Sequence, residues 1–218
     1  MHDFLEYMKL DPYFRKYNHT KMNFAMVYAY SENYMLVLSH DEVVHLKCSM
    51  IEKMPGSYEE KFKNLMAGYA FMTGHPGKKL LFMGQDFGQH REWSEERELD
   101  WFLLEKEPNH QLQLFVKELL HLYKSNKCLY EYDCWPEGFE WINADDGDRS
   151  IFSFVRHSAS GKNNMLFVIN FTPVERPDYR VGTTCRRKHT LVLNSDDKKF
   201  GGKGKRRPKE YKPVKKEC

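Results

Sequence analysis

The sequence has no run of about 18 consecutive apolar residues, so no membrane-spanning helix is expected and no membrane partner is called for. Its opening stretch, MHDFLEYMKLDPYFRKY, carries charge throughout and lacks the apolar centre of a secretory signal. Cysteine is scarce and scattered. The five residues, Cys48, Cys128, Cys134, Cys185 and Cys218, are odd in number and form no CxxC pair. They read as free thiols of a reducing, cytoplasmic compartment rather than as a disulfide framework. No internal repeat is evident, and Ser39 lacks the G-x-S-x-G setting of a nucleophilic serine.

What is present suffices for a core. The 218 residues are 41% hydrophobic and 15% aromatic, which argues against global disorder and allows one large domain or one and a half ordinary ones. The net charge of +3 hides an asymmetry. Residues 198–218 hold ten Lys/Arg and two acids, whereas the rest holds 24 basic and 29 acidic residues. Such a tail can bind nucleic acid. With only Tyr211 between its charges after Phe200, it offers no stacking platform, so a solvated loop and no nucleic-acid partner are expected.

The patterning changes near residues 126–136. Before it, FLEYMKLDP predicts a short helix stopped by Pro12, while KMNFAMVYAYSEN fits a helix or a strand equally well. YMLVLS is a short apolar run, expected as a strand buried on both faces. Ser57 and Glu60 form a capping box before a stripe of Phe62, Leu65, Met66, Tyr69 and Ala70, and Gly74 with Pro76–Gly77 ends that helix. KKLLFMGQDF reads as a second buried strand, and HQLQLFVKELLHLYKSN as an amphipathic helix. Residues 34–126 therefore read strand, helix, strand, helix, the signature of a parallel sheet with crossover helices. After residue 130, three β-like runs separated by DDGD and SASGKNN turns predict an antiparallel β domain. The expected domains are 1–128 and 129–218.

The polar cluster Ser39-His40-Asp41-Glu42 closes the first strand, where α/β folds place active groups, and Gln85–Asp86 closes the second. HDEVVH is not a zinc motif. His40 and His45 are five apart, roughly 140° around a helix, and share no face. Carboxylates beside a histidine and nearby tryptophans suit glycoside chemistry, in which carboxylates stabilise an oxocarbenium-like transition state. On pattern alone, His–Asp after a strand is equally a loop cap.

LSHDEVVH, followed in order by KKLLFMGQDFGQHREW, LDW, GFEWI, NFTPV and LNSDD, resembles the glycogen and starch branching enzymes of the α-amylase superfamily. The resemblance runs from about residue 1 to residue 200. It implies a fold of α/β plus all-β type: strands 7 and 8 of a (β/α)8 TIM barrel, then an antiparallel β-sandwich. It implies that Asp41 stabilises the transition state and that His40 hydrogen-bonds sugar hydroxyls. The partners implied are α-1,4-glucans such as glycogen and amylose. The reaction implied is a retaining double displacement. A carboxylate takes the anomeric carbon, a glutamate protonates the leaving oxygen, and the chain passes to a 6-hydroxyl. No metal or organic cofactor is implied.

Both of those groups would lie in barrel strands absent from this sequence, so the chain alone is expected to be inactive, and poorly soluble. Glu42, Gln85, Asp86 and Trp93 are weaker substrate-binding candidates. For Gln85 and Asp86 the alternative is a structural hydrogen-bond network, and for Glu42 a supporting role behind Asp41. Trp101 and Trp141 are expected to pack, and His45 to be a satisfied structural histidine. Leu46 stands where the family has glycine, which puts the backbone after Asp41 in question. Rival readings are a hydrolase of the same superfamily and a non-catalytic glucan-binding protein.

Overall fold

Two strands, one crossover helix and a shared aromatic core fix the position of the polar cluster. The computed structural model describes residues 1–215. Cys218 lies outside the described residues, and the other four cysteines are free. The amino-terminal helix α1 spans His2–Lys9 and a single turn, α2, spans Thr20–Asn23, followed by a 3-10 turn at Phe24–Val27, so the first half of the ambiguous segment is helical and the rest is turn. Arg15 is fully buried and caps α1 by donating to the Met8 carbonyl at 2.9 Å, with further bonds to Asn64 and to the Phe171 carbonyl. A buried guanidinium satisfies backbone acceptors that would otherwise be stranded.

Strand β1 (Met35–Leu38) pairs in parallel with β2 (Lys78–Leu81), in register from Met35 opposite Lys78 to Leu38 opposite Leu81. Helix α3 (Tyr58–Gly74) makes the crossover. It starts at Ser57, whose Oγ accepts from the Glu60 N–H while the Glu60 carboxylate accepts from the Ser57 N–H, as the capping box requires. Helix α4 (Glu107–Ser125) follows, with Pro108 in its first turn. One expectation fails. β1 and β2 are not buried on both faces, since Leu38 is sealed but Met35 is half exposed. Among the described residues this sheet has two strands, so each has an unpaired edge.

Strands β3 (Phe139–Asp146), β4 (Ile151–Arg156) and β5 (Met165–Asn170) form an antiparallel sheet in that order, with irregularities in β3 beyond Trp141. β6 (His189–Thr190) and β7 (Glu210–Tyr211) form a small second sheet. The basic tail folds back through it. Lys199 meets Glu118 at 3.2 Å, and Glu175 meets Lys205 at 2.7 Å, so acids of the same chain match part of its charge.

The two regions share one core. Phe71 of α3 lies 5.8 Å from both Phe152 and Phe154 of β4, and Phe154 stacks on Phe167 of β5 at 5.0 Å. Trp141 joins at 5.6 Å from Phe154, in the packing role expected of it. Gly74 permits this contact. A Cβ there would stand 2.8 Å from the Phe154 ring and 2.9 Å from Phe167.

Candidate active site

Because β1 and β2 are parallel, their carboxyl ends lie at one edge, and the chain leaves each as a short turn. The first turn, His40–Glu42, is a single 3-10 turn entered through Ser39. Strand alternation sends Leu36 and Leu38 toward the core and Met35, Val37 and Ser39 to the opposite face. Those three, with Met1, His2, Asp41, Glu42 and Lys47, line an open groove of about 440 Å³. Asp41 faces it largely exposed. Its Oδ1 is 3.4 Å from His40 Nε2, and its Oδ2 accepts from Ser39 Oγ at 3.3 Å. The His40 ring sits 5.8 Å from Phe82 and 6.3 Å from Trp93, and those two rings pack edge to face at 5.1 Å. His40 therefore rests against a packed Phe82–Trp93 pair with its ring about half exposed, and the Asp41 carboxylate beside it is open to solvent.

Asp41 and Glu42 line this groove with His40 beside Asp41, whereas Trp93 packs near His40 and lines a separate small cavity with Gln85. Gln85 and Asp86, expected at the same cleft, do not line the groove. Gln85 is buried within its own turn, where its Oε1 accepts from the Phe82 N–H at 3.3 Å and its carbonyl accepts from Tyr69 Oη at 3.0 Å. Gly84 and Gly88, at φ 82° and 69°, bracket that turn and turn its side chains inward. Asp86 points to α4 and accepts from Gln113 at 3.4 Å. Trp101 is half exposed, with its ring 5.3 Å from Phe87. His45, expected as a satisfied structural histidine rather than a ligand, is exposed, at φ 55°.

Leu46 has φ 65° and Cys48 φ 66°, so the residue standing in place of glycine adopts a conformation that glycine favours. Sequence reasoning missed what holds this loop. Glu92, from the turn after β2, accepts from the Leu46 N–H at 3.1 Å and the Cys48 N–H at 2.6 Å. Lys53, nearly buried, donates to the Lys47 carbonyl and to the Cys48 carbonyl at 2.9 Å. Burial, with Lys9 nearby, keeps the Lys53 amine below its ordinary value. Lys47 donates to the Asp41 carbonyl at 2.7 Å. The only advance signal was Leu46 itself; Glu92 acts across 44 and 46 residues and leaves no local pattern.

The all-β carboxyl-terminal domain of alpha-amylases matches residues 141–217. The chain is 57% identical over its whole length to a 1,4-alpha-glucan branching enzyme of Butyrivibrio fibrisolvens, of which it covers 34%. Over 94% of its length it is 50% identical to the branching enzyme of Aquifex aeolicus, covering 32% of that protein. Over 93% it is 49% identical to that of Pseudomonas putida, covering 27%. The chain thus spans about a third of the length of these relatives.

Proposed function

We infer, for a chain related over its whole length to the 1,4-alpha-glucan branching enzymes, that it supplies the last part of a branching enzyme's catalytic barrel and the β domain that follows. On this reading β1 and β2 are barrel strands 7 and 8, residues 1–128 complete the barrel, and residues 129–218 belong to a β-sandwich. The whole protein works in the cytoplasm. It cuts an α-1,4-glucan such as glycogen or amylose and passes the cut chain to a 6-hydroxyl.

The exposed Asp41 carboxylate beside His40, at the carboxyl end of a parallel strand, is the observation that carries this reading. A fixed negative charge there favours the oxocarbenium-like transition state over the neutral ground state, which is what lowers a barrier. His40, resting against the packed Phe82 and Trp93 rings, offers a ring nitrogen to sugar hydroxyls. Glu42 supports the sugar or Asp41 from the groove wall, and Trp93 gives His40 an apolar backing. Gln85 and Asp86 act on the site only by shaping the turn after β2. The nucleophile and general acid belong to the remainder of the whole protein.

The test is to incubate the whole protein with amylose and count α-1,6 linkages by proton NMR. New α-1,6 signal supports branching. Reducing ends without branches mean a hydrolase, and amylose binding with neither product means a glucan-binding protein.

A further inference from the structure

We propose that Glu92 is a positioning residue that sets the backbone carrying Asp41 by clamping residues 45–48 in a conformation their own side chains disfavour. The proposal rests on the reading of Asp41 as a group at the reaction centre.

His45, Leu46 and Cys48 all have positive φ, and none is glycine. Such a backbone persists only where its surroundings over-determine it. Here the surroundings are specific. Both oxygens of one carboxylate are used, Oε2 on the Leu46 N–H and Oε1 on the Cys48 N–H. These N–H groups sit on a tip whose side chains face solvent, and Leu46 is 96% exposed, so side-chain packing does not hold the loop. Glu92 is itself anchored. Its carbonyl accepts from Arg97 Nη2 at 2.6 Å, and the adjacent Trp93 N–H donates to the Val43 carbonyl at 3.0 Å. The link to Asp41 is short. Lys47, between the two clamped residues, donates to the Asp41 carbonyl at 2.7 Å, and Lys53 holds the carbonyls of Lys47 and Cys48 from the other side.

Only an ionised carboxylate presents two acceptors and no donor. The Cys48 N–H, aided by the Leu46 N–H, Lys53 and His45, keeps the Glu92 carboxyl below its ordinary range. Glutamine keeps the size but turns an NH2 toward one of the two N–H groups. Glycine at position 46 takes positive φ without penalty, so it removes part of the need for the clamp.

The experiment compares the unsubstituted whole protein with Glu92→Gln and with Glu92→Gln/Leu46→Gly. Hydrogen exchange read by mass spectrometry over residues 44–50 is expected to quicken about tenfold in Glu92→Gln, with α3 unchanged. The kcat on amylose is expected to fall about 10- to 100-fold with KM within about threefold, as a displaced transition-state group predicts. Leu46→Gly is expected to recover part of that kcat, which a residue that merely stabilises the fold would not allow.

Unchanged exchange, or faster exchange with undiminished kcat, overturns the proposal. If the unsubstituted protein hydrolyses without branching, the branching reading fails alone and the same kcat comparison is made on hydrolysis. If it has neither activity, Asp41 stands at no reaction centre and the proposal falls with it.

Discussion

The Nη2 atom of Arg156 lies 2.8 Å from Oδ1 of Asp133, and both side chains are sealed from solvent. The same guanidinium donates to the Gly138 carbonyl at 3.0 Å and to the Gly74 carbonyl at 2.9 Å, so one side chain ties β4 to the end of α3 and to the segment before β3. Burial would raise the Asp133 carboxyl, yet Lys79, Arg156 and Lys78 together hold it below its ordinary value.

Removing Arg156 takes its ion pair from the buried Asp133 carboxylate, which keeps Lys78 and Tyr123, and a hydrogen bond each from the Gly138 and Gly74 carbonyls. Arg156→Ala is expected to cost about 3–5 kcal/mol, read as a lowered thermal midpoint of the whole protein. Arg156→Lys should recover little, because an ammonium lacks the fork that reaches three acceptors. A midpoint unchanged in Arg156→Ala would contradict this.

His75 caps the end of α3, its Nδ1 bonded to the Pro76 carbonyl at 2.9 Å. Burial pushes it down from 6.5 to about 4. The folded-state value lies below the unfolded one, so the unfolded chain binds the extra proton between pH 6.5 and 4. Stability is therefore full above pH 6.5 and falls as pH drops toward 4, by up to on the order of 3 kcal/mol. His19, also lowered by burial, acts in the same direction. Urea midpoints measured across this window should slope less in His75→Asn; an equal slope would refute the assignment.

Phe24, Tyr28 and Tyr34 form a run of exposed rings, each about 6.0 Å from the next, that reaches β1 at half-exposed Met35. Parallel strands are normally covered on both faces. This chain expressed alone should self-associate, its mass by sedimentation rising with concentration. A mass that stays monomeric across the micromolar range would contradict the expectation.

The local devices were legible and the spatial ones were not. Ser57 with Glu60 marked the start of α3, and Gly74 with Pro76 its end, because caps are local chemistry. Three β-like runs separated by DDGD and SASGKNN turns after residue 130 foretold β3, β4 and β5. An apolar run does not say what lies across the strand, and β1 is open on the face of Met35. For Gln85 the strand end leaves a cleft position and a structural hydrogen-bond network equally open, and the turn between Gly84 and Gly88 holds it in such a network. The proposed pair His40–Asp41 is marked in the sequence by its motif, whereas the contacts of Glu92 are visible only once the chain is folded.

The most direct test of the account is α-1,6 linkage formation on amylose by the whole protein, with Asp41→Asn and Asp41→Ala beside it. The account predicts branching that falls by about a hundredfold to a thousandfold or more in both variants, with the fold intact. Branching that survives both substitutions would contradict it and leave Ser39-His40-Asp41-Glu42 as no more than the end of a strand.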